Sequence, residues 1–165
     1  MKRQLIVFKV GQEEFALDIL LTKEILVMGN ITPVPETEDY VEGVMNLRGN
    51  LVPVLDFRKR LRARKIEQHN NVRIIIARLE NKLVGLIVDD ASEVIKVTDD
   101  LLEPAPDIIS EMGVEYVSGI VNLNNRFITL VDLRKALTEE IFTELDEVMT
   151  VIERQREVIE QRQLA

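Results

Sequence analysis

Tyr40-Val41-Glu42-Gly43-Val44-Met45-Asn46-Leu47 is answered 76 residues later by Tyr116-Val117-Ser118-Gly119-Ile120-Val121-Asn122-Leu123. The match runs without gaps to Lys59 and Lys135, and eight of its twenty positions are identical. The identities are Tyr40, Val41, Gly43, Asn46, Leu47, Asp56, Arg58 and Lys59, recurring as Tyr116, Val117, Gly119, Asn122, Leu123, Asp132, Arg134 and Lys135. Average composition would supply about one or two, so the segment is a true internal repeat, and a repeat governs how the rest of a chain is read.

Working outward, Leu5-Ile6-Val7 matches Ile74-Ile75-Ile76, and Glu24-Ile25-Leu26 matches Glu93-Val94-Ile95, both at an offset of 69. Pro33-x-Pro35 returns as Pro104-x-Pro106. The drift of the offset places the extra residues of the second copy in its turn-rich connections, chiefly Pro106 to Tyr116, where insertions cost least. The first repeat covers about residues 4–61, the second about 72–137, and 138–165 form a C-terminal helical extension to the 4–137 domain.

Each copy reads as five short strands rich in Val, Ile, Leu and Phe. In the first they are Leu5 to Val10, Glu14 to Asp18, Glu24 to Met28, Gly43 to Leu47 and Leu51 to Leu55. In the second they are Val72 to Leu79, Lys82 to Val88, Glu93 to Val97, Gly119 to Leu123 and Phe127 to Val131. Gly11, Asn30, Gly49 and Asn124-Asn125 punctuate them as turns. Five short strands per copy suggest a small closed barrel, which leaves no long open edge. Pro53 cannot donate to a ladder, so it is expected at an accessible edge or bulge. Asp56 and Asp132 are placed to cap short helices, Phe57 to Leu61 and Leu133 to Leu137. Leu137, Ile141, Leu145, Val148 and Ile152 then share one helical face that should pack on a barrel. Beyond Glu153 the helix is expected to be solvent-exposed or to serve as a partner-binding extension.

The 165-residue chain has 46% hydrophobic and 30% charged residues, the balance of a globular protein. Its net charge of -8 disfavours general nucleic-acid binding, which depends on neutralising phosphates. With no cysteine, thiolate catalysis and cysteine-based metal sites are excluded. The apolar run Leu5 to Phe8 is too short for a signal-peptide core, and no apolar stretch reaches bilayer-spanning length. The chain is read as cytoplasmic, without direct membrane insertion.

Catalytic material is sparse. His69, the only histidine, is expected as a solvated loop residue without a role. Asp89-Asp90 and Asp99-Asp100 are expected to cap turns or face water rather than hold a metal. Neither common glycine-rich phosphate loop occurs. Neither an enzymatic activity nor a cofactor is expected. The run Arg58 to Lys65 carries six positive charges in eight residues, yet lacks interleaved aromatics for base stacking. A solvated helix end is the simpler reading, with an acidic protein contact as the functional one. Glu24 and Arg48 form the more suggestive pair: on neighbouring strands, Arg48 would grip Glu24 in a bidentate fork. Asn124 replaces Arg48 in the second copy while Glu93 is kept.

The segment Gly43-Val44-Met45-Asn46-Leu47-Arg48-Gly49-Asn50-Leu51-Val52-Pro53-Val54-Leu55-Asp56-Phe57-Arg58 resembles the signature of CheW domains. Glu14 to Ile19, Glu24-Ile25, Val84 to Asp89 and Pro104-x-Pro106 follow in the family's order, and only Phe57 departs mildly, standing where leucine is usual. The resemblance implies a mainly β fold: two intertwined SH3-like five-stranded barrels with a hydrophobic groove between them, short helices and a C-terminal α-helix. It also implies an adaptor recruited to membrane-associated arrays. There it would bind the cytoplasmic hairpin tip of chemoreceptors and dock the regulatory domain of a CheA-type histidine kinase. By position, receptor binding falls to Ile19, Thr22, Glu24, Ile25, Arg48, Gly49 and Val52, and the groove and kinase side to Gly85, Ala91 and Val94. The alternatives are a CheW-like scaffold of a non-flagellar pathway serving gliding or pili, and a barrel that binds nucleic acid through residues 58–65.

Overall fold

The structure, a computed structural model, describes residues 2–61, 66, 69–107 and 115–164. The first repeat supplies β1 (Lys2–Val10), β2 (Glu13–Asp18), β3 (Thr22–Val27), β4 (Val41–Leu47), β5 (Asn50–Asp56) and helix α1 (Phe57–Arg60). The second supplies β6 (Arg73–Leu79), β7 (Lys82–Val88), β8 (Asp90–Thr98), β9 (Leu102–Glu103), β10 (Val117–Leu123), β11 (Arg126–Val131) and α2 (Leu133–Ala136). The chain then runs into α3 (Glu139–Leu164).

The repeats do not form one sheet each. One sheet has the order β3-β6-β7-β5-β4 and the other β8-β1-β2-β11-β10-β9. Each hairpin that opens a repeat is therefore inserted among the later strands of the other repeat. The insertion is closed by two equivalent parallel contacts, β5 on β7 through Val54 and Gly85, and β11 on β2 through Leu130 and Ala16. The two halves also share a further detail: Thr32 bridges Val44 in the first, and β9 pairs with Ile120 and Val121 in the second.

Period-two alternation explains why the inserted hairpins are apolar on both faces. Leu5 and Val7 join Ile95, Val97, Val121 and Ile128 inside one barrel, while Ile74 and Ile76 join Met45, Val52, Val54 and Ile87 inside the other. The opposite faces meet in a shared core, where Phe8, Phe15, Leu17 and Phe57 pack with Ile75, Ala77 and Leu86. Phe8 stacks on Phe15 with ring centroids 5.7 Å apart. Ile141, Leu145 and Val148 bring the first turns of α3 into the same core, as the helical spacing predicts. Asp56 and Asp132 cap α1 and α2 by accepting from the backbone N–H of Arg58 and Arg134 respectively.

Two expectations are corrected. Pro53 lies neither at an edge nor in the open: it is buried in β5, between β7 and β4, opposite Val44. The parallel ladder to β7 begins only at Val54, so the missing N–H interrupts nothing there, and Pro53 lines a furrow with Phe142 and Met149 of α3. The six-stranded sheet contains one strand more than expected, because Leu102–Glu103 pairs with β10.

Candidate protein-binding surface

Glu24 sits on β3, an edge strand, just past a register shift between Thr22 and Glu24. Arg48 lies in the two-residue turn joining β4 to β5, where both Arg48 (φ 50°) and Gly49 (φ 90°) are left-handed, as a tight hairpin requires. The turn is pinned by the Gly49 N–H donating to Asn46 Oδ1 at 2.7 Å. It delivers Arg48 Nη2 to both carboxylate oxygens of Glu24, at 3.0 and 3.1 Å. One nitrogen is shared between two oxygens, so the contact is a bifurcated clasp rather than the expected fork. With Arg48 63% exposed, its value lies in display more than in stability.

Around this clasp, Ile19 and Thr22 are half-buried, Ile25 packs against the shared core and Gly49 is exposed. Thr22 Oγ1 is buried without a hydrogen-bond partner among the described residues. Val52 faces the barrel interior and presents no surface. Gly85 is interior as well: an added Cβ would come within 3.1 Å of Ile74 and Val54 methyls, so the position keeps β5, β6 and β7 close. Ala91 is buried in the shared core, and Val94 is exposed on β8. The apolar contact between the barrels is thus a filled core. Open concavities lie at its margins: a furrow of about 350 Å³ between α3 and β5/β7, and a cleft of about 540 Å³ beside Leu20, Leu102 and Arg134.

The second barrel has its own clasp. Glu93, the counterpart of Glu24, is held by Arg126, whose Nη1 lies 3.0 Å from Oε2, with Nη2 on Oε1. Arg126 also donates from Nε to Glu14 Oε2 at 2.7 Å and from Nη2 to Oε1 at 2.5 Å. The hydrogen bonds from Arg126 hold the carboxyls of Glu14 and Glu93 below the usual range, and the two carboxylates in turn raise the guanidinium. Arg126→Ala is expected to raise both glutamates back toward the ordinary carboxylate range in an NMR titration, with at most about 1 kcal/mol of stability lost at this partly exposed site.

The largest departure from expectation concerns the basic run. Arg58 is not solvated but fully buried. Its Nε and Nη2 grip Asp56 at 2.9 and 3.0 Å, and Nη1 reaches Asp89 Oδ1 at 3.0 Å. Asp89, expected to cap a turn or face water, is buried; it accepts from the N–H of Gly11 in the β1–β2 turn at 2.6 Å and holds its backbone N–H on Lys9 O. Burial alone would raise the Asp89 carboxyl, yet the Gly11 N–H, Arg58 and His69 together keep it below the usual range. His69 is therefore engaged too, with Nε2 3.1 Å from Asp89 Oδ1. Lys59 reaches Asp39, and Arg60 donates to Ala136 O at 2.6 Å while lying over the Tyr116 ring. Residues 62–65 of the run lie outside the described residues. Among the described residues there is no group of acids and histidine suited to a metal, and no helix is long and apolar enough to cross a membrane.

Comparison with known proteins decides the family, because the model of the CheW-like domain matches residues 4–140. The chain belongs to the CheW-like domain family. It is 32% identical over 146 residues to the chemotaxis protein CheW of Klebsiella aerogenes, covering 88% of each chain. To the chemotaxis protein CheW of Rhizobium meliloti it is 37% identical over 138 residues, covering 84% of this chain and 89% of that one. The crystal structure of the scaffolding protein TtCheW from Thermoanaerobacter tengcongensis superposes with a TM-score of 0.76 at 32% identity, over 86% of this chain and 91% of that one. The CheW-like match ends at 140, so almost all of α3 lies beyond it, although its first turns complete the shared core.

Proposed function

We propose that this chain is a chemotaxis adaptor that couples chemoreceptors, the methyl-accepting chemotaxis proteins, to a CheA-type histidine kinase by binding both, without catalysis. The observation that carries the reading is the displayed Glu24–Arg48 clasp on the edge strand of a CheW-like fold. A receptor hairpin would lay its apolar stripe along Ile19, Thr22 and Ile25, with the clasp and Gly49 setting register at the rim. Val52, Gly85 and Ala91 would support that surface from within, and Val94 would belong to the kinase-facing side. Coupling then requires only that the adaptor fit one receptor–kinase arrangement better than another. Arrays of membrane receptors would recruit it from the cytoplasm.

Nucleic-acid binding is disfavoured because Arg58, Lys59 and Arg60 are all engaged internally. The deciding experiment mixes the chain with a receptor cytoplasmic fragment and a CheA-type kinase. Autophosphorylation should become receptor-dependent only when the adaptor is present, and indifference to it would refute the reading. Arg48→Ala should melt within about 1 kcal/mol of the unsubstituted chain, since the pair is exposed. Its affinity for the receptor fragment should nevertheless fall about tenfold, or about 1.4 kcal/mol. Unchanged capture and unchanged kinase control would remove Arg48 from the surface.

A further inference from the structure

The 26-residue helix α3 outruns the domain in which it is rooted. Ile141, Leu145 and Val148 lie in the shared core, but from Glu153 to Gln163 the helix is exposed on every side. A free stretch of that length is shorter than the ~12–15 residues at which even an isolated helix of favourable sequence is marginal. It is nevertheless not purely polar: Val151, Val158 and Ile159 are 43%, 47% and 55% exposed. Val151 and Val158 belong to a row at spacings of three and four, Glu144, Glu147, Val151, Gln155, Val158 and Arg162, which shares one face of the helix beside its buried stripe.

The charges along α3 are segregated. Glu139 to Glu153 include six acids and no lysine or arginine, whereas Arg154 to Leu164 include three arginines and two glutamates. The helix dipole accounts for charge preferences only within the first and last turns, and the acids run on for about four turns. Glu147, Arg154 and Arg162 make no hydrogen bond or ion pair among the described residues. A helix that covers this row must bring a cation to Glu147, an aliphatic side chain to each valine and an acid to Arg162. The row itself, turned end for end, meets that requirement. About a centre between Arg154 and Gln155 the reversal sets Val151 opposite Val158 and Arg162 opposite Glu147, with Glu144 one turn further on. A parallel copy would instead set Glu147 on Glu147 and Arg162 on Arg162.

We infer that α3 docks a second copy of this chain, the two helices antiparallel, with Val151 of each on Val158 of the other and Arg162 of each on the other's Glu147. The contact spans residues 144–162, about 27 Å of helix. That is at the small end of specific interfaces, so the pair should dissociate in the micromolar range. The inference goes beyond the adaptor reading and stands or falls separately from it.

Sedimentation velocity of the full chain, from micromolar to millimolar concentration, reads the pairing directly. Dimer should accumulate as concentration rises, and Val158→Asp should abolish it. Arg162→Glu and Glu147→Arg should each weaken it about tenfold, since two-fold symmetry makes each contact twice. The chain carrying both substitutions should return to within about threefold of the unsubstituted one, because the ion pair is restored with its signs exchanged. Val158, Glu147 and Arg162 are exposed, so all these variants should melt as the unsubstituted chain does. A chain that stays monomeric at millimolar concentration, or a dimer indifferent to Val158→Asp, overturns the assignment. So does a double variant that pairs no better than the single ones.

Discussion

Arg58→Ala is expected to cost the fold about 3–5 kcal/mol, because it strands Asp56 and Asp89 in the interior without their cation. A domain of this kind holds only about 5–15 kcal/mol in total, so a urea melt should show a sharply lowered midpoint. Arg58→Lys should recover little, since one ammonium cannot serve Asp56 twice and Asp89 once. The same cluster sets an acid limit. The folded Asp89 carboxyl lies below its ordinary value, so its contribution is complete above about pH 4 and is lost as the pH falls through the depressed value. Without Arg58 the depression shrinks, and acid unfolding should begin at higher pH. A melt of Arg58→Ala indistinguishable from the unsubstituted chain would show that the cluster contributes nothing net.

Gly43→Ala is the second large effect. An added Cβ would lie 2.1 Å from Thr32 O and 2.7 Å from Thr32 C, at a φ of +147° that side chains rarely adopt. Backbone must move, and the paired Thr32–Val44 hydrogen bonds of 2.8 and 2.9 Å stand in the way. A loss of about 2–4 kcal/mol follows, or roughly 5–15 °C in melting temperature for a chain of this size. The equivalent Gly119→Ala is the control: its Cβ would meet Glu103 O at 3.0 Å, with no left-handed φ, and should cost clearly less. Equal losses at both positions would contradict the steric account.

The duplicated Asn-Leu segment and the alternating strands made a two-barrel β fold legible, and Asp56 and Asp132 marked their helices correctly, since caps and alternation are local properties. Ile141, Leu145 and Val148 were legible for the same reason. The exchange of hairpins was implied by the CheW resemblance, with its intertwined barrels; it was not legible in the strand pattern, which says which face is buried but not which distant strand covers it. That is also why Val52 and Gly85 read as surface contacts although they lie inside a barrel. Arg58 was hidden by its neighbours: in a run of charges nothing local distinguishes the one that turns inward. Its recurrence as Arg134 gave no signal either, since Arg134 is exposed. Arg126 had none, since its partners Glu14 and Glu93 are 112 and 33 residues away.

The traded hairpins also constrain how such a chain could have arisen. A polypeptide carrying only one repeat would hold an opening hairpin with no sheet to enter and a sheet lacking its middle strands. It could satisfy both only by swapping with a twin molecule. Duplication would then have turned an obligate dimer into a single chain. That history leaves a testable residue: fragments severed within 62–68 should stay unstructured apart and regain the fold only when recombined.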